Sequence, residues 1–232
     1  MKRARPVIAI DGPVGAGKST IARQLARELA FVYLNTGAMY RAVAIAARRA
    51  GLSPEEAAPD DRLTELLARI RIEFNGERIT LDGTDISDQI GAPEVSDLAS
   101  KFSALKIVRE RMRALQRAAG EKGGVVMEGR DIGTVIFPDA EIKFFLEANV
   151  AVRAERRFKE LIAKDDRITR EEVLRQLLER DSRDSARELA PLKRADDAIA
   201  IDSTKLTVAE VVAVMKKQVE QRINFSKALK RA

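Results

Sequence analysis

The chain has 232 residues, with 42 Lys and Arg against 36 Asp and Glu, a net charge of +6 at neutral pH. It contains no His, Cys or Trp. That composition excludes imidazole and thiol nucleophiles, disulfides and Cys/His zinc sites, and leaves chemistry to Lys, Arg, carboxylates, hydroxyls and a metal held by oxygens. A 45% hydrophobic content suffices for a core, whereas 4% aromatics offers no stacking platform for single-stranded nucleic acid.

Arg3-Ala4-Arg5 is followed by an apolar run that Asp11 interrupts after a strand's length. It is too short for a signal peptide or a membrane span. No later stretch approaches ~18 uninterrupted apolar residues. A soluble, cytoplasmic monomer with no membrane or nucleic-acid partner is expected, its arginine excess serving small phosphorylated ligands.

The run 7–10, with Val7, Ile8 and Ile10, predicts the first strand, and Ile21, Leu25 and Leu29 predict a helix over 18–30. Between them stands Gly12-Pro13-Val14-Gly15-Ala16-Gly17-Lys18-Ser19-Thr20, which fits G-x-x-x-x-G-K-[ST] in its required strand–loop–helix setting. Glycines let the backbone wrap a phosphate and turn its N–H groups inward. The helix N-terminus adds positive potential, and Lys18 adds a full charge that can reach β- and γ-phosphates. Ser19 supplies a hydroxyl suited to Mg2+. Nucleoside triphosphate binding is the inference.

Further strands are predicted at 31–34, 125–127, 142–146 and 198–201, with helices at 38–50, 105–119, 150–163, 169–188 and 207–222. Gly51 and Gly120 stand where helices would stop. The alternation predicts an α/β fold, a five-stranded parallel sheet with helices on both faces. The stretch 60–104 breaks this order. Ile70, Ile72 and Phe74 alternate before Asn75-Gly76, and Ile79 and Leu81 follow. An Asn-Gly turn would pair Phe74 with Glu77, Glu73 with Arg78, Ile72 with Ile79 and Ile70 with Leu81, an antiparallel insertion.

After the second strand, Thr36 is placed as a helix N-cap and Arg41 in the first helical turn. A cation there is unfavourable unless an anion lies nearby. The third strand runs into Glu128-Gly129-Arg130-Asp131, and a carboxylate at such a strand end suits Mg2+ or its waters. Arg180, Arg183, Asp184 and Arg187 fall on one helical stripe. It is either a solvated face or an arginine-bearing lid that closes over transferring phosphates.

Taken together, G-P-V-G-A-G-K-S-T, N-T-G-A-M-Y-R, E-G-R-D-I-G-T-V-I-F-P-D-A and R-D-S-R-D-S-A-R, with A-P-L shortly after, resemble the bacterial cytidylate kinases over nearly the whole chain. The resemblance implies a P-loop fold of nucleoside monophosphate kinase type. Its core would span 1–59 and 105–232 with a helical lid at about 155–190, and a monophosphate-binding insertion would occupy 60–104. It implies transfer from ATP with Mg2+ to CMP and dCMP, with Lys18, Arg130, Arg180 and Arg187 catalytic and residues 12–20 on the ATP phosphates. Thr36, Arg41, Arg130 and Arg187 would hold the acceptor phosphate; Ser100, Arg109 and Asp131 would read cytosine, and Arg180 and Asp184 the ribose.

Ser100 and Arg109 are matched more loosely than the rest. Thr36 replaces the usual Ser, Ser19 stands where several relatives have Gly, and Glu128 stands where Asp is common. These departures leave open whether Ser19 and Glu128 meet Mg2+ directly or through water. Other small kinases, for adenylate, uridylate or a hydroxylated metabolite, remain alternatives. A nucleotide-switched binding protein is a further one, although the chain lacks the guanine-reading N-K-x-D sequence.

Overall fold

A computed structural model of the chain describes residues 3–55, 61–163 and 166–229. The expected boundary at 59–60 and residues 164–165 of the expected lid lie outside the described residues. The chain divides into two compact units, Met1–Leu34 with Gly120–Ala232, and Asn35–Ala119.

In the first unit, β1 (Val7–Asp11) pairs in parallel with β6 (Val125–Gly129) and β7 (Ile142–Glu147), and β7 with β8 (Ile199–Asp202). With β2 (Val32–Asn35) the sheet order is β2-β6-β1-β7-β8. β1 is central, and its residues are buried on both faces, as a near-continuous apolar run requires in a parallel sheet. Ile8, Ile10, Val126, Phe144 and Leu146 turn one face toward Ile21, Leu25 and Ala26 of α1 (Lys18–Leu29). Val211, Val212, Met215 and Val219 of α8 (Val208–Leu229) complete that core. Asn149 caps α6 (Val150–Ile162), and Thr169 caps α7 (Arg170–Ser185). Among the described residues no helix is long and apolar enough to cross a membrane.

The second unit holds α2 (Thr36–Arg49), α3 (Asp61–Arg69), a three-stranded sheet β3-β4-β5 (Ile72–Asn75, Arg78–Leu81, Thr84–Asp85), α4 (Pro93–Phe102) and α5 (Lys106–Gly120), whose last residue belongs to the first unit. The insertion is antiparallel as expected, but its register differs. Ile72 pairs with Leu81, Glu73 with Thr80, Phe74 with Ile79 and Asn75 with Arg78, so Gly76-Glu77 forms the turn. Ile70 is not a strand residue. Its N–H bonds to the Leu66 carbonyl, and it closes the buried stripe Leu63, Leu66, Leu67, Ile70 of the α3 turn. The turn places Gly76 at φ +63 in the first loop position, as a type II′ hairpin prefers. Arg78 then pairs with Asp85 rather than Glu73.

Two local expectations also change, and a third is met for a different reason. Asn35, not Thr36, caps α2, its side chain accepting from Ala38 N–H at 3.0 Å; Thr36 is the first helical residue. Because α2 begins at residue 36, Arg41 belongs to its second turn. Gly120 ends α5 without a left-handed conformation, and a Cβ there would lie 2.6 Å from the Phe137 ring. Close packing, rather than turn geometry, requires that glycine.

Candidate active site

The phosphate loop leaves the centre of the sheet. Gly12 takes φ +148, and a Cβ there would lie 2.1 Å from the Leu146 carbonyl oxygen, so only glycine fits against β7. Gly17, at φ +90, leads directly into α1. Lys18 is buried and donates from Nζ to the Pro13 carbonyl at 2.6 Å, folded over its own loop. Burial and then the Arg130 guanidinium push the Lys18 pKa well below that of an ordinary lysine, Arg180 adding to the effect and Glu128 opposing it. A negatively charged ligand would relieve that stress.

Asp11, at the end of β1, organises the facing turn. Its carboxylate accepts from Ile132 N–H at 2.9 Å and Gly133 N–H at 2.7 Å, fixing the π-helical turn Ile132–Ile136 that follows Arg130-Asp131. Burial pushes the Asp11 pKa up to about 7, against the pull of those two amides. Glu128, buried at the end of β6, accepts from the Tyr33 hydroxyl at 2.6 Å, and that hydroxyl also hydrogen-bonds Ser19. Burial and the Glu128 charge keep Tyr33 protonated.

The arginine stripe of α7 is not a solvated face. Asp184 is almost fully buried and gathers three guanidinium groups: Arg130 Nε at 2.9 Å from Oδ2, Arg180 Nε at 3.9 Å from the same oxygen, and Arg187 on Oδ1. Burial would raise the Asp184 pKa, but Arg130, Arg187 and Arg180 together hold it below the usual carboxylate range. Arg130 just after β6, Arg180 and Asp184 of α7 and Arg187 beyond it thus converge, with Arg130 and Arg180 near enough to act on Lys18. Asp131 is buried beside this group, as the residue that starts the π turn.

Thr36, Arg41, Ser100 and Arg109 belong to the second unit. Thr36 is buried at the start of α2. A Cβ on Gly37 would lie 3.8 Å from an Arg41 guanidinium nitrogen, so Arg41 folds back toward the positive end of its own helix. Ser100 is buried, and among the described residues its hydroxyl has no hydrogen-bond partner. Its carbonyl accepts from Ser103 Oγ at 2.8 Å, and Arg109 donates to the Ser103 carbonyl at 3.1 Å with its guanidinium 5.8 Å from the Tyr40 ring centre. A polar cluster of Ser100, Ser103, Arg109 and Tyr40 results.

Sequence reasoning missed Asp11, Tyr33 and Arg153. Asp11 carried one usable signal, a carboxylate closing an otherwise apolar central strand. Tyr33 and Arg153 carried none, because Glu128 lies 95 residues from Tyr33, and Val14 and Asp181 lie 139 and 28 residues from Arg153.

The family model described as cytidylate kinase matches residues 8–221. A cytidylate kinase of Geobacter sulfurreducens is 49% identical over 220 residues, covering 93% of each chain. A cytidylate kinase of Thermotoga neapolitana is 45% identical over 216 residues, covering 93% of this chain and 97% of its own. The chain belongs to the cytidylate kinase family. It is accordingly a nucleoside monophosphate kinase, a phosphotransferase with a P-loop. The crystal structure of an uncharacterized protein from Eubacterium ventriosum aligns over 93% of this chain and 99% of its own with a TM-score of 0.53 at 15% identity, a likeness of fold alone. Within the cytidylate kinase family, the buried arginine cluster on Asp184 and the Lys18 loop are the parts that this structure assembles in one unit.

Proposed function

We propose that this member of the cytidylate kinase family transfers the γ-phosphoryl group of ATP to CMP and dCMP. Supporting that reading above all is the arginine cluster on Asp184 next to a loop lysine stressed by its own cationic neighbours. Three guanidinium groups gathered on one carboxylate beside Lys18 suit two polyanionic substrates and a negatively charged transition state.

Residues 12–20 would cradle the donor phosphates, with Lys18 on the β- and γ-phosphates. Thr36, Arg41, Arg130 and Arg187 are assigned to the acceptor phosphate, and Arg180 to the transferring group and the ribose, which Asp184 would also contact. A phosphate oxygen of CMP attacks the γ-phosphorus, the bond to the β–γ bridging oxygen breaks, and ADP and CDP leave. A monophosphate has a second pKa of about 6, so its oxygen is already ionised near neutrality and needs no general base. Alignment and charge stabilisation supply the rate.

Mg2+ on a nucleotide usually takes one or two protein oxygens, the rest coming from phosphates and water. The residues present fit that need: Ser19 and Glu128 meet at the Tyr33 hydroxyl and would hold the ion directly or through water. Bound there, it would supply positive charge that offsets the negative charge of the donor phosphates.

For base selection, Asp131 would accept from the cytosine N4 amino group, as carboxylates do when reading cytosine. Ser100, whose buried hydroxyl lacks a hydrogen-bond partner among the described residues, and Arg109 would complete that recognition. Uracil would set a carbonyl against the Asp131 carboxylate, costing about 1–3 kcal/mol. A coupled assay for ADP release, run with ATP and Mg2+ with and without CMP, tests the reading. Release that depends on CMP and yields CDP is expected; ATP turnover indifferent to CMP would refute it.

A further inference from the structure

Arg153, the fourth residue of α6, is a buried arginine with no part in the chemistry above. Its guanidinium reaches in three directions. Nε donates to the Ala148 carbonyl at 3.0 Å, while Nη1 donates to the Val14 carbonyl at 3.0 Å and to Asp181 Oδ2 at 2.5 Å. Val14 belongs to the phosphate loop and Asp181 to α7. One side chain therefore joins the loop to the helix that carries Arg180 and Asp184.

The Val14 contact orients the loop. In a trans peptide the C=O and N–H groups point in opposite directions, so a Val14 carbonyl held on Arg153 turns the Gly15 N–H away from α6. Gly15 also packs on Arg153 itself, since a Cβ there would lie 2.9 Å from the Arg153 carbonyl oxygen. At the other end, Asp181 depends on Arg153. Its Oδ1 is buried with no hydrogen-bond partner among the described residues, so Oδ2 on Arg153 is what anchors the carboxylate. Asp181 follows Arg180 directly and precedes Asp184 by one helical turn, so a change at this anchor is felt by both.

We propose that Arg153 is a positioning residue that couples the donor-phosphate loop to α7, so that a loop shaped by bound ATP holds Arg180 and Asp184 in register. The inference rests on the kinase reading for its catalytic consequence, but the coupling itself is independent of the acceptor. Arg153 suits the task because one rigid, permanently charged fork serves a carbonyl and a carboxylate together. A lysine ammonium would be a poor substitute.

The test uses the full-length protein and Asp181→Asn, Arg153→Lys and the double variant, each checked for a native melting transition. Hydrogen exchange is followed across residues 170–185 with and without ATP, alongside ATP affinity by calorimetry without acceptor. In wild type, ATP should slow exchange in α7. In Asp181→Asn, ATP affinity should stay within ~2-fold while that protection disappears and kcat with CMP falls at least ~10-fold, as misplaced catalytic groups do. Arg153→Lys should weaken ATP binding as well, and the double variant should lose no more kcat than Arg153→Lys alone, the mark of one shared interaction. Equal ATP protection of α7 in wild type and Asp181→Asn would overturn the coupling, as would kcat losses that multiply in the double variant. Wild type that protects α7 on ATP binding yet phosphorylates no CMP would sink the choice of acceptor and leave the coupling standing.

Discussion

Arg130 and Asp184, 54 positions apart, share a part-buried ion pair 2.9 Å long between the residue after β6 and the last turn of α7. Arg187 and Arg180 add to the same carboxylate. Removing the carboxylate should leave three guanidinium groups without their common counter-ion. Asp184→Ala is expected to lose about 3 kcal/mol of stability at pH 7, the lower end for breaking a buried pair because the arginines keep some water contact. The three arginines hold the Asp184 pKa below its unfolded value of 3.8 against the opposing effect of burial. Its contribution is thus present above that value and lost as pH falls through the lowered one. Urea unfolding of both proteins should show the gap at neutrality and its shrinkage in acid. A gap unchanged into strong acid would contradict the arrangement.

Lys18 offers a second test. Its pKa is lowered by burial and then by Arg130, and bound phosphates should raise it again. ATP binding should therefore take up a proton at pH values below lysine's ordinary 10.5, seen as a buffer-dependent binding enthalpy. Lys18→Ala should abolish the uptake and cost ~10²–10³ in kcat, the scale for losing one charge-stabilising donor. Near-normal turnover in that variant would be incompatible with its role.

Tyr33 joins Ser19 to Glu128. Outer partners of metal ligands typically contribute 10–100-fold to metal affinity. Tyr33→Phe should need about 10-fold more Mg2+ for half-maximal activity, with kcat at saturating Mg2+ nearly restored. A Mg2+ titration superimposable on wild type would remove Ser19 and Glu128 from the metal site.

For Ser100, fold and function should separate. Its buried hydroxyl makes no hydrogen bond within the described protein, so Ser100→Ala should change stability by less than about 0.5 kcal/mol, no protein bond being lost. The KM for CMP should nevertheless rise, by roughly 5-fold or more, the scale of one neutral hydrogen bond. A destabilised variant with unchanged KM would mean that the hydroxyl serves packing alone.

The parts legible in the sequence are those carried by neighbours in the chain. The loop at 12–20 and its flanking strand and helix needed only local glycines, a lysine and two apolar periods. Beyond the local patterns, family motifs pointed to Arg130, Asp184 and Arg187, but not to their mutual contact, since a helical stripe looks the same whether solvated or buried. The α3 stripe Leu63, Leu66, Leu67, Ile70 has helical spacing, yet Ile70 also alternates with Ile72 and Phe74, and that ambiguity displaced the hairpin register. Helix α4 has local signals of its own, since Pro93 opens it and Val95, Ala99 and Phe102 bury one side. Asp11 holds amides 121 and 122 residues away. No periodicity reports such a contact.

The proposed choice of base turns on Asp131. The most direct measurement is kcat/KM for CMP, dCMP, UMP and AMP under one set of conditions, in wild type and in Asp131→Asn. A carboxylate that reads the cytosine amino group predicts CMP and dCMP well ahead of UMP, with AMP poor, and a CMP-to-UMP ratio that narrows ~10-fold or more in the variant. Equal use of AMP and CMP by the wild-type protein would contradict it.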